Sequence, residues 1–110
     1  MFKEIAYKGL DFLFKKFEEE LEALQEELEE LANNRKYNFL EAKAILTADS
    51  YLNFVIENMT GYALCGDYPE KYQNWALDVI DKSKSVRAFI YDNFQDVFDN
   101  YSDLVKQMAF

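Results

Sequence analysis

Eight apolar residues near the start of this chain keep an alternating step of 3 and 4: Tyr7, Leu10, Phe14, Phe17, Leu21, Leu24, Leu28 and Leu31. That step holds one stripe on one side of an α-helix. It fits no strand, whose side chains alternate with period two. The spacing predicts a long heptad-patterned helix over roughly residues 3–32. Tyr7, Phe14, Leu21 and Leu28 take position a, and Leu10, Phe17, Leu24 and Leu31 take position d. Asn33 and Asn34 follow, and Asn tolerates the left-handed conformation that ends helices.

The same period continues downstream. A second helix is expected from about Lys36 to the Gly61–Gly66 region, with a stripe of Tyr37, Leu40, Ala44, Ala48, Tyr51, Val55 and Met59 flanked by Ile45, Leu52 and Ile56. Thr47, Asp49 and Ser50 are short polar residues that can bond the backbone and bend it. Gly66, Asp67, Tyr68, Pro69 and Glu70 form the firmest stop, with Asp67 and Glu70 spaced as a capping box. A third stripe runs through Tyr72, Ala76, Val79, Ser83, Val86 and Ile90, with Trp75 and Ile80 alongside, and on through Phe94, Val97, Tyr101, Leu104 and Met108. A break is expected near Asp92–Asn93, where Asp92 and Gln95 offer a new cap, with Lys82–Ser85 as second choice. Glycine (three) and proline (one) are too scarce for many short strands. The fold expected is an all-α antiparallel bundle of three to four helices in a single domain, residues 1–110.

Composition closes off several chemistries. The chain has no histidine and a single cysteine, Cys65. The commonest general base, Ser-His and Cys-His dyads and zinc sites are therefore excluded. The Asp92–Asp103 stretch lacks the central glycine and final glutamate of a calcium loop. There is no phosphate-cradling glycine loop. The expectation is a protein that is not an enzyme, with no cofactor and no metal. One thiol cannot make an internal disulfide, which suits a reducing compartment. Charge at Lys3, Glu4 and Lys8 breaks up any signal sequence, and no stretch is apolar enough to span a bilayer. A cytoplasmic location with no membrane partner is expected, although the N-terminal segment around Phe12, Lys15 and Lys16 is mildly basic and apolar.

The formal net charge is -9. Most of it comes from Glu18, Glu19, Glu20, Glu22, Glu26, Glu27, Glu29 and Glu30, a run without a basic residue. All avoid positions a and d, as a solvated face requires. Solubility alone does not explain the uniform sign. Glu18–Glu22, Glu22–Glu26 and Glu26–Glu30 are like-charge i, i+4 pairs, each costing a few tenths of a kcal/mol. Asp92, Asp96, Asp99 and Asp103 repeat the pattern on one face of the last segment. The glutamate run spans about 18 Å of helix, within about a factor of two of the phosphate density of duplex DNA. Such a surface repels nucleic acid and attracts a protein that binds it.

The candidate contact residues are therefore Glu18, Glu19, Glu22, Glu26, Glu29, Glu30, Asp92, Asp96, Asp99 and Asp103. Tyr62 and Tyr68 join them, since tyrosines at a turn often anchor protein contacts. The heptad stripe itself offers a second use, a homodimer through Leu10, Phe14, Phe17, Leu21, Leu24 and Leu28. Its e and g positions neither repel nor attract across a parallel pair, and Phe14 and Phe17 are bulky for a two-stranded seam.

In size, acidity, helical pattern and lack of catalytic residues, the chain resembles the small accessory proteins of phages and mobile elements that block restriction or CRISPR nucleases. That resemblance implies an inhibitor of a basic partner, such as a nuclease or another nucleic-acid-binding protein. The alternative is a homodimeric structural or assembly protein.

Overall fold

The computed structural model describes residues 2–34 and 38–100. Four helices account for nearly all of them: α1 (Phe2–Asn34), α2 (Phe39–Leu64), α3 (Glu70–Asn93) and the short α4 (Gln95–Asn100). The molecule measures 51 × 32 × 20 Å. Its long dimension is that of α1, about 50 Å at 1.5 Å per residue.

The caps explain where the helices begin and end. Asn38 precedes α2 and accepts from the Glu41 backbone N–H at 2.8 Å, while its own N–H donates to the Glu41 carboxylate at 3.2 Å. This reciprocal box starts α2 at Phe39, three residues later than the stripe alone suggests. The box expected between Asp67 and Glu70 does not form. Pro69 is the N-cap of α3 and makes no side-chain cap bond. Instead, Gln73 reaches back and donates to the Cys65 and Tyr68 carbonyls at 3.0 and 2.8 Å, which closes the turn. The later break falls at Phe94, whose ψ of 30° departs from the helix and whose N–H still donates to Ile90 at 2.8 Å. Asp92 is inside α3 and not a cap. Thr47 bonds the Lys43 carbonyl at 2.9 Å without interrupting α2.

Pairings along the helices give their directions. Gln73 lies beside Cys65, and Arg87 lies beside Asp49, so α3 returns antiparallel to α2. Phe14 meets Tyr62, whereas Glu20 meets Tyr51, so α2 is antiparallel to α1. Tyr7 stacks on Tyr72, and Glu18 is ion-paired with Lys82, so α1 and α3 run side by side in the same direction. The order is up, down, up.

The core lies between these three rods. Phe14, Leu21 and Leu28 come from α1; Ala42, Ile45, Leu52, Val55 and Met59 from α2; Tyr72, Ala76, Val79 and Ile90 from α3. Leu10, Phe17, Leu24 and Leu31 flank it, half-buried. Phe14, Leu21 and Leu28 are thus spent on the chain's own core. The closest-knit pair is α2 with α3. Buried Ala42, Ala48, Ala76 and Ser83 keep side chains short there, and the Ser83 hydroxyl is satisfied by the Val79 carbonyl at 2.8 Å. Arg87 adds a polar clasp. Its Nε donates to Asp49 at 3.2 Å and its Nη2 to the Tyr91 hydroxyl at 2.9 Å.

In α2, Ala48, Val55 and Met59 of the expected stripe are buried, but its first positions differ. Leu40 is 74% exposed and Ala44 is exposed, because the inward face is centred on Ala42, Ile45 and Leu52. Tyr37, Tyr101, Leu104 and Met108 lie outside the described residues.

Phe14→Ala should lower unfolding free energy by about 3–5 kcal/mol, as for other buried phenylalanines. Leu64→Ala, at a position 80% exposed, should change it by less than about 0.5 kcal/mol. Urea denaturation followed by far-ultraviolet circular dichroism measures both.

Candidate acidic groove

The rotation of α1 decides what its glutamates face. Phe14 is fully buried and packs edge-on against Trp75, Tyr62 and Tyr72, with centroids 5.0, 5.4 and 6.1 Å away. This aromatic knot fixes the helix about its own axis. The acids are then sorted by position.

Two point inward. Glu18 accepts from the Trp75 indole N–H and sits 3.5 Å from the Lys82 ammonium. Glu20 accepts from the Tyr51 hydroxyl. Both tie α1 to its neighbours, so Glu18 is a structural contact before it is a surface charge. Burial, then the Glu20 carboxylate, pushes the Tyr51 phenol well above its usual value. Burial and the Asp11 carboxylate push Tyr72 in the same direction.

Three more acids line a groove between α1 and α3. Glu22, Glu26 and Glu29 form one wall, with Gln25 among them donating to Glu29 at 2.9 Å. Asp81, Lys82, Ser85 and Val86 form the other, enclosing about 560 Å³. Glu29 also lines the next cleft, about 650 Å³, with Asn33, Phe89, Asp92 and Asp96. The two clefts meet at one shared residue, Glu29, and together form a furrow of two adjoining hollows. Glu22, Glu26, Glu29, Asp81, Asp92 and Asp96 surround it, and Lys82, its basic lining residue, is already opposite Glu18. Parallel packing of α1 on α3 brings together the two acidic segments that the sequence keeps far apart.

The other candidates lie elsewhere. Glu19 borders a shallow hollow with Phe12, Lys15 and Lys16 on the outer face of α1. Glu30 and Asp99 are exposed and line neither cleft, and Asp103 lies outside the described residues. Tyr62 and Tyr68 are at the opposite end of the bundle. Their rings meet edge-on at 5.2 Å, and both are half-buried against the core. Asp81, Lys82 and Ser85 were not singled out by sequence, because nothing in a single helical stripe says which flank a neighbouring helix will border.

Among the described residues, no three acid or thiol side chains converge as metal ligands would. No described helix is long and apolar enough to cross a membrane. The chain matches no protein-family model, no curated protein and no solved structure.

Glu22→Gln with Glu26→Gln removes like-charge neighbours and should raise stability by a few tenths of a kcal/mol. Glu18→Ala leaves the Trp75 N–H without its partner and should lower stability by about 1 kcal/mol. Thermal denaturation, read by the emission of the single tryptophan, separates the two. The phenols set an alkaline limit. Tyr51 has a folded-state pKa above its usual 10.0, so its contribution is complete below that value. As the pH rises further, the unfolded chain releases the proton first and stability falls. Tyr51→Phe should flatten that fall in urea midpoints measured between about pH 8 and pH 11.

Proposed function

We propose that this chain is a small acidic binding protein that masks a basic, nucleic-acid-binding surface on another protein. The observation that carries this reading is the furrow between α1 and α3. Its two ends draw on different acidic segments, Glu22 to Glu29 and Asp92 to Asp96, and the one lysine that lines it, Lys82, is paired with Glu18. A row of carboxylates held on a rigid helix can imitate a phosphate backbone without the mobility that weakens flexible acidic tails. The furrow also concentrates the field, which speeds approach by a basic partner. The heptad-spaced stripe serves this surface in our reading: it anchors a long rod so that the acids stay on its outer flanks. Inhibition would be by occlusion, as in phage or mobile-element inhibitors of nucleases.

The immobilised protein should capture nucleic-acid-binding proteins from its host's lysate at low salt. Duplex DNA, or a rise to about 0.5 M salt, should release them, because screening and competition act on the same charges. Glu22→Lys with Glu26→Lys should reduce capture at least about tenfold while leaving the circular dichroism spectrum helical. Equal capture by wild type and variant, or capture insensitive to both salt and DNA, would rule the furrow out as the contact.

A further inference from the structure

The outer face of α1, opposite the Phe14–Leu21–Leu28 row, changes character along its length. In the N-terminal half it carries Ile5, Lys8, Phe12 and Lys16. Ile5 and Phe12 are 62% and 69% exposed, and both lysines are exposed. In the C-terminal half the same face carries Glu19, Ala23, Glu27 and Glu30, all exposed. Among the described residues, Lys8, Lys16, Glu19, Glu27 and Glu30 have no ion-pair partner. The internal fold explains neither the bare phenylalanine nor the separation of signs.

We propose that this face is the contact between two copies of the chain, which pair through α1 in antiparallel orientation. A two-fold axis between Phe17 and Glu18 makes the halves complementary at three of the four facing positions, Ile5 alone falling opposite a carboxylate, that of Glu30. Lys16 meets the second copy's Glu19, and Lys8 meets its Glu27. Phe12 meets the second copy's Ala23, where a methyl group leaves room for a ring. Each contact occurs twice, as closed two-fold symmetry requires. Beside Ala23 an apolar groove opens between α1 and α2, with Leu24, Leu40, Ala44 and Tyr51 along it. The incoming Phe12 would cover Leu40, which the monomer leaves 74% exposed. Aromatic anchors in small apolar hollows, rimmed by complementary charge, are the usual anatomy of a protein contact. A parallel pair would instead set lysine on lysine and glutamate on glutamate. The contact is independent of the acidic furrow, and it leaves Glu22, Glu29 and Asp92 uncovered.

Charge complementation tests this directly. One variant carries Lys8→Glu and Lys16→Glu, and the other carries Glu19→Lys and Glu27→Lys. Sedimentation equilibrium at low salt should show wild-type dimers. Each variant alone should dimerise on the order of a hundredfold more weakly, since every cross-pair is now between like charges. An equal mixture should recover the dimer, because all cross-pairs become opposite. Circular dichroism confirms that each variant is folded. If a double variant is not helical, the single pair Lys16→Glu and Glu19→Lys makes the same test. A wild type that stays monomeric at high micromolar concentration would overturn the proposal. So would variants that dimerise alone like wild type, or a mixture that stays monomeric. A monomer that instead cosediments with phosphatidylserine vesicles would reassign the basic, apolar half to a membrane surface.

Discussion

The insertion of Phe14 among Tyr62, Tyr72 and Trp75 sets the position of everything else on α1. A long helix can rotate on a hairpin of two others at little expense if its contacts are only smooth aliphatic rows. A ring held edge-on by three others cannot. With Phe14 fixed, Glu18 reaches Trp75 and Lys82, and Glu20 reaches Tyr51. The remaining acids are then divided between the α1–α3 furrow and the outer face. The layout of the α1 acids follows from one angular register.

That register rests on a firmer base formed by α2 and α3. Their contact is the most extensive in the molecule. Short side chains bring the rods together, and the Arg87–Asp49–Tyr91 clasp adds direction to an otherwise apolar interface. Burial lowers the tendency of Arg87 to hold its proton, but the Tyr91 and Asp49 partners more than offset it, so the guanidinium stays charged. α1 is laid against this hairpin and borders α3 more than α2. The looser α1–α2 flank is where the apolar groove with Leu40 remains open.

Much of the helical pattern was legible in the chain. The rows Phe14–Leu21–Leu28 and Tyr72–Ala76–Val79–Ser83–Val86–Ile90 are buried as their spacing requires. A stripe of long apolar residues at 3 and 4 steps has only one side to hide. The α2 stripe was less legible, because apolar residues occur on several of its sides and the central line shifted to Ala42 and Ile45. Capping was not legible from spacing alone: the stripe placed the start of α2 near Lys36, and the Asp67–Glu70 box that spacing suggests does not form. Asn38 and Glu41 carry the signature and form the box. Asp67 and Glu70 carry it too, yet Pro69 and Gln73 took over that turn. The clasp at Asp49 was hidden, since its partner is distant in the chain.

The sequence by itself determined that the chain is helical, strongly acidic and without histidine. Those properties are local: helical period, charge count and side-chain inventory do not depend on what packs where. Tertiary structure decided which acids are neighbours. Glu29 and Asp92 share a furrow only because α1 and α3 run in the same direction, and Phe12 faces solvent only because Phe14 faces the core. The first fact is written in no one segment, because it depends on the docking of one helix against another, whereas the second follows the heptad spacing of α1 itself.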